Sequence, residues 1–452
     1  MNANPIASLQ AHLHGGQRDR RGADDGRRGR GRRRLAPIVL LALAAHLCSL
    51  APSLMAATAT GTTSAADGAA APVTAPCRTR NVILVTLDGL RWQEVFTGID
   101  ATLARHPGAI RYAKTVAEFE ADFWRDTAVL RREALMPFFW QTIATTGQLR
   151  GNRNEGNHVG VANPLHFSYP GYSEILTGLV DPRIASNDKT PNPNRTVLEW
   201  LNNQQPFRNR VAAFASWDVF PYILNEPRAR FAVNAGFESG SLTNDPQIRL
   251  LNALQQEIPS PWDTVRLDAF THRYAMAWLA AKRPRMLYIA YGETDDFAHD
   301  GWYDAYARAA HRTDGFIADL WRWVQADRDY RDRTTLIITT DHGRGRTLAD
   351  WRHHGPASPD EPSTRPGDGE TWLAVLGPDT PARNPDQPDQ PVVAASVPAT
   401  VAGALGLDYQ DDHPELDAPG PVPGAIVCAA PRPAVYDQPA LRDTGANREG
   451  SA

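Results

Sequence analysis

The chain has 452 residues, 42% of them apolar and 22% charged, with a formal net charge of −4. A chain this long can bury a large core, as one big domain or two ordinary ones, and its composition fits neither disorder nor a polytopic membrane protein. The first 34 residues hold nine Arg and three Asp, so the sequence from residue 58 onward carries a net charge of −10. A domain that acidic has no electrostatic footprint for DNA or RNA, so no nucleic-acid partner is expected.

The Arg-rich start runs into Leu35 to Leu47, thirteen almost wholly apolar residues, and small residues follow at Ala56-Ala57-Thr58-Ala59. A basic region, a short apolar run and a small-residue exit describe an export signal over residues 1–57. If uncleaved, the stretch to Leu54 would serve as an N-terminal membrane anchor. An exported protein would be periplasmic or extracellular. Residues 58–79 open with an Ala/Thr/Gly/Ser-rich stretch and read as a linker. Past the signal two cysteines remain, Cys77 and Cys428. An even pair in an oxidising compartment can form a disulfide, here tying the two ends of the domain together; the alternative is two free thiols.

The first strand expected is Asn81 to Leu87. Glu133 to Thr146 places Leu135, Phe138, Phe139 and Ile143 at helical spacing. A helix follows Ser168, with Pro170 in its first turn and Gly178 at its end. Next come a helix at Thr196 to Asn203, a strand at Val211 to Ala215, a helix at Asp263 to Ala281 and a strand at Met286 to Tyr291. A helix at Asp304 to Val324 feeds a strand ending at Thr340, and Trp372 to Leu376 and Val397 to Leu405 read as a last strand and helix. Alternating strands and helices predict an α/β fold: a mostly parallel central sheet with helices on both faces and loop or helical insertions, over residues 80–410. Pro378 to Pro391 reads as a surface loop and residues 411–452 as a Pro-rich C-terminal tail.

Chemistry concentrates at the ends of the apolar strands. Asp88-Gly89 follows the first strand, Asp295 and His299 follow the Met286 strand, and Asp341-His342-Gly343 ends the next, with His353-His354-Gly355 soon after. In open α/β sheets ligands bind beyond the carboxyl ends of the strands. Asp295 and His299 are spaced i, i+4 and share one helical face. The adjacent Asp341 and His342 reach one ion only if the chain turns sharply at Gly343. Ser168 stands at a helix start, where it is either a capping residue or a nucleophile beside N–H groups that receive a phosphate.

These segments resemble the alkaline phosphatase superfamily, and within it the type I phosphodiesterase/nucleotide pyrophosphatase branch. Ser168-Tyr169-Pro170 with Ile175-Leu176-Thr177-Gly178 resembles that branch's nucleophile segment. Asp88-Gly89-Leu90-Arg91 resembles its first metal-binding strand end, and Val397-Pro398-Ala399-Thr400 its C-terminal helix. The resemblance implies an alkaline-phosphatase-like fold and two metal ions. One would be held by Asp88, Ser168, Asp341 and His342, the other by Asp295, His299 and His354. Three carboxylates, three imidazoles and one hydroxyl favour zinc over calcium or magnesium. By the same resemblance Ser168 is the nucleophile of a phosphoric-ester hydrolase acting on a small-molecule phosphate ester, nucleotides among the candidates. In this reading Asn163 or Asn187 contacts a non-bridging phosphate oxygen. Alternatives are a phosphomonoesterase, a sulfatase-like esterase, or a non-catalytic binding protein on the same fold. Formylglycine sulfatases require an Arg four residues after the Ser or Cys, and Tyr172 occupies that position.

Overall fold

The computed structural model of the chain describes residues 75–358, 361–382, 390–409 and 418–429. The expected signal or anchor, most of the linker and the last 23 residues lie outside the described residues. Among the described residues ten strands follow in chain order. They are β1 (Asn81–Leu87), β2 (Gln148–Arg150), β3 (Val159–Gly160), β4 (Val211–Ala215) and β5 (Ala232–Ala235), then β6 (Met286–Tyr291), β7 (Thr334–Thr339), β8 (Glu370–Thr371), β9 (Leu373–Leu376) and β10 (Val392–Val393). Seven of them make one sheet, in the order β2-β9-β7-β1-β6-β4-β5. From β7 to β5 every pairing is parallel, and β9 runs antiparallel to both β7 and β2. The fold is the mostly parallel α/β architecture expected from the alternation of elements. A second, small sheet has the order β10-β3-β8.

Strand β1 is buried along its whole length, because helices cover both faces of the sheet. Its alternate residues serve two cores. Ile83, Val85 and Leu87 join Leu287, Ile289, Leu336 and Ile338 beneath the helices Asp268–Lys282 and Tyr303–Ala326. Val82 and Leu84 face the other way, with Tyr288 and Ile337, toward the helices Ser168–Thr177, Val197–Asn203 and Val397–Ala404.

One expected helix is broken. In place of Glu133 to Thr146 there is a helix at Ala128–Leu135, a π-helical turn at Phe139–Ile143 and a short helix at Ala144–Thr146. Pro137 is the cause: a proline disfavours helical geometry in the residue before it, and Met136 is accordingly at φ −130°, ψ 71°. The new start is capped from outside, as Phe138 N and Phe139 N donate to the Asp314 carboxylate at 2.8 and 3.0 Å.

Cys77 and Cys428 are bridged, across a sequence separation of 351. Pro76 pairs with Ala429, and Ala418, Val422 and Ala425 are buried. The folded unit therefore extends beyond the expected boundaries at 80 and 410, because the disulfide and this apolar strap pull residues 418–429 back onto the sheet's helical layer. Among the described residues no helix is long and apolar enough to cross a membrane.

Candidate metal centre

Parallel pairing puts the carboxyl ends of β6, β1 and β7 side by side, with Leu87 opposite Tyr291 and Thr86 opposite Thr339. Asp88, the helix Glu293–His299 and the Asp341-His342 pair all leave the sheet at this rim. Gly89 permits the turn after Asp88, at φ +57°. The Ser168–Thr177 helix comes down onto the same rim because Gly171 lets it. A Cβ built there would lie 2.4 Å from the Asp341 carbonyl oxygen.

His342 is the hub. Its Nε2 lies 3.3 Å from Asp88 Oδ1, 3.4 Å from Asp341 Oδ2, 3.7 Å from Asp295 Oδ1 and 3.4 Å from Ser168 Oγ. Its Nδ1 donates to the Gly343 carbonyl at 2.9 Å, which orients Nε2 toward the carboxylates. Burial alone would lower its pKa, but Asp341, Asp88 and Asp295 outweigh burial and raise it to about 9. Burial, reinforced by neighbouring carboxylates, raises Asp88 and lifts Asp341 well above the ordinary carboxylate range. Asp88 Oδ1 and Asp341 Oδ2 are buried without a hydrogen-bond partner. Orphaned carboxylate oxygens around one imidazole are the arrangement a divalent cation resolves, and it would displace the imidazole's proton.

The second half adjoins the first. His354 stacks on His342 with ring centroids 3.8 Å apart, and its Nε2 faces His299 Nε2 at 2.9 Å and Asp295 Oδ1 at 3.6 Å. Asp295 is 3.1 Å from His299, its i, i+4 partner. The ligand atoms of Asp295, His299 and His354 lie within 4.8 Å of one another, as do those of Asp88, Asp295 and His342. Both sets fit a divalent ion in donor type and spacing, and Asp295 stands between them. Although burial works to raise it, Arg344, His299 and His354 hold its pKa well below the usual carboxylate range. Of the two adjacent pairs in the sequence, Asp295 and His354 join these groups while Asp296 and His353 do not.

The two asparagines separate. Asn163 is buried and turned toward groups of the chain itself. Its Nδ2 donates to Glu174 Oε2 at 2.9 Å, and its Oδ1 accepts from Leu165 N and His166 N at 3.1 and 3.0 Å. Asn187 is exposed, and its Oδ1 accepts from Tyr169 N at 3.0 Å. With that N–H occupied and none on Pro170, Ser168 keeps the one amide among the first three helical residues that can meet a ligand oxygen. Ser168 is not the helix cap; Phe167 is, with no side-chain cap bond.

Three supporting residues went unread in the sequence. Tyr172, one helical turn beyond Ser168, donates its hydroxyl to Asp88 Oδ2 at 2.9 Å. Arg344, wholly buried just after Asp341-His342-Gly343, pairs with Asp295 and donates to the Arg352 carbonyl at 2.7 Å. Asp268 accepts from Gly292 N at 2.8 Å and Glu293 N at 3.2 Å, while Glu293 accepts from Asp268 N at 2.9 Å. The two carboxylates thus cap each other's helices and fix the one that carries Asp295 and His299. The i, i+4 spacing from Ser168 was a usable signal for Tyr172; nothing local marks Asp268.

An α/β sheet that gathers Asp and His groups around a buried serine at its carboxyl rim defines a metal-binding hydrolase fold of the alkaline phosphatase type. The type I phosphodiesterase/nucleotide pyrophosphatase family model matches residues 112–357, more than half of the chain, and the protein belongs to that family. Among solved structures, the chain is similar to wild-type alkaline phosphatase PafA (11% identity, 79% of this chain and 100% of that one, TM-score 0.47). It is also similar to an alkaline phosphatase superfamily protein from Vibrio parahaemolyticus (12%, 74% and 69%, TM-score 0.43). A third is the phosphonate monoester hydrolase of Agrobacterium radiobacter (13%, 73% and 74%, TM-score 0.43). No curated protein gives a significant match.

Proposed function

We propose that this protein is an exported phosphodiesterase that uses Ser168 as nucleophile beside two divalent ions, zinc by preference. The observation that carries the reading is Ser168 Oγ, buried at a helix start and 3.4 Å from the imidazole shared by three carboxylates. Asp88, Ser168, Asp341 and His342 would hold one ion, and Asp295, His299 and His354 the other. Bound there, the ions supply a lowered pKa for the nucleophile and neutralisation of charge on the phosphoryl oxygens. Ser168 attacks phosphorus in line, forming a phosphoseryl ester as the leaving oxygen departs, and water then releases the product. Ser168 N–H and the exposed amide of Asn187 would steady a non-bridging oxygen. Tyr172 and Arg344 hold Asp88 and Asp295, and would keep them turned toward the ions. The disulfide supports export, since such bonds persist in oxidising compartments.

The test is a panel of bis-nitrophenyl phosphate, nitrophenyl phosphate and nitrophenyl sulfate with zinc-loaded enzyme. Diester turnover should lead. A leading monoester would move the assignment to a phosphatase, a leading sulfate to a sulfatase-like esterase, and no turnover of any would sink the enzymatic reading.

A further inference from the structure

The loop that delivers Ser168 is held in an unfavourable conformation by residues with no part in the chemistry described so far. His166, two positions before the serine, sits in the left-handed region at φ +52°, unusual for a residue with a side chain. Its ring is clamped. Nδ1 lies 2.7 Å from Asp368 Oδ1, and the Asp368 side chain is 1% exposed. Asp368 also accepts from Ser363 Oγ. Gly369 closes over the ring so tightly that a Cβ there would lie 2.8 Å from His166 Cε1. Asn163 Oδ1 holds the His166 N–H from the other side.

This clamp has an outlet. The His166 carbonyl accepts from His354 Nδ1 at 3.2 Å. A carbonyl can only accept, so in neutral His354 the hydrogen is on Nδ1, and Nε2 is left to face Asp295 and His299. Asp368 reaches the other half as well, because its carbonyl accepts from Gly343 N at 2.7 Å, and the Gly343 carbonyl in turn orients His342. The second contact is made by backbone alone and survives a change of the Asp368 side chain. The first depends on the carboxylate, through the imidazole it holds.

We propose that the Asp368–His166 pair is a positioning device for the second metal ion: it holds the His166 carbonyl where it orients His354, on the same short loop that places Ser168. The pair touches neither ion nor substrate; it acts through His354. The proposal rests on the two-metal reading above. Groups that orient metal-bound imidazoles are typically worth ~10–100-fold in metal affinity.

The experiment is zinc affinity by chelator competition, with bound zinc counted by elemental analysis, on the full chain and three variants. Asp368→Ala removes the clamp. His166→Gly removes the ring but adopts the backbone angle freely and keeps the carbonyl, so it serves if the first variant folds poorly. Asp368→Asn retains an oxygen to accept from Nδ1 and is the conservative rescue. Expected are one zinc bound as in wild type, a second weakened ~10–100-fold in Asp368→Ala and His166→Gly, and substantial recovery in Asp368→Asn. Two ions at wild-type affinity in either folded clamp variant would overturn the proposal. Equal weakening of both ions would overturn it too, by assigning the pair to general folding. A wild-type chain that binds fewer than two ions overturns the two-metal reading and this inference with it, whereas two ions in wild type with unshifted variants overturn this inference alone.

Discussion

Replacing Ser168 by Ala separates chemistry from architecture more cleanly than any other single change. The structure removes the bland explanation for this serine, because Phe167 occupies the cap position and Ser168 Oγ lies 3.4 Å from His342 Nε2. A lost helix cap would cost about 1 kcal/mol. Without a cap bond to lose, Ser168→Ala should change stability by no more than about 1 kcal/mol, the net worth of its one long hydrogen bond to His342. Turnover should respond very differently. Loss of the nucleophile removes the covalent route and leaves water to attack, so a fall of roughly three to five orders of magnitude is expected, or about 4–7 kcal/mol in barrier at 1.36 kcal/mol per tenfold. Bound zinc should persist, since Asp88, Asp341 and His342 remain for one ion and Asp295, His299 and His354 for the other. The assay is steady-state hydrolysis of bis-nitrophenyl phosphate, with zinc content and melting temperature measured on the same preparation. Wild-type turnover with zinc in place would refute the assignment of Ser168 as nucleophile and make water the first suspect.

Elemental analysis should find close to two zinc per chain. Chelation should abolish activity, which zinc and not calcium restores; full activity in a metal-free preparation would contradict the reading. Cys77→Ser or Cys428→Ser opens a loop of 351 residues, for which chain entropy sets a ceiling of about 5–6 kcal/mol. Denaturant titration should show a loss of several kcal/mol, and an unchanged midpoint would show the bridge to be idle. His272 is buried, accepts or donates at 2.9 Å to Tyr291 and stacks on Phe316; burial, helped by Arg273, lowers its pKa to about 4. A group lowered on folding contributes stability that is present above its unfolded pKa, near 6.5, and is lost as pH falls toward 4, here at most about 3 kcal/mol. His272→Gln should flatten the stability profile between those limits, and a slope identical to wild type would show that His272 does not titrate there.

Elements with a simple local cause were legible from sequence. The strands β1, β4 and β6 begin and end where the apolar runs do, since a strand buried on both faces needs no other signal. The helix after Ser168 stops at Gly178, which adopts φ +76° as a left-handed cap. The break at Met136 was also written locally, in Pro137, but the helical spacing of Leu135, Phe138, Phe139 and Ile143 outweighed it in the reading. The strands β2, β3, β8 and β10 have two or three residues each, too few for any periodicity to show. For the site, carboxylates and imidazoles at strand ends gave themselves away by position. The groups that orient them did not. Asp268, Arg344 and Asp368 act on residues brought near only by folding, and no spacing in the sequence marks Asn163 as the partner of Glu174. Gly171 was equally silent: its lack of a side chain matters only because the Asp341 backbone lies against it.

The central place of β1 in the sheet also bears on how the protein assembles. Val82 pairs with Met286 on one side and Thr335 on the other, so the first strand of the domain to be synthesised has both neighbours far downstream. Until they arrive, a strand with five apolar residues among its seven presents two bare edges, the kind of segment that pairs wrongly with other chains. Topologies dominated by such distant pairings fold slowly. The Asp88–His342 half of the centre cannot exist before β1 has been enclosed by β6 and β7, whereas Asp295, His299 and His354 come from one late stretch of chain. An ion can therefore reward the finished sheet but cannot template its beginning, and the burden of keeping the nascent chain from aggregating falls on whatever holds it before β6 and β7 are in place.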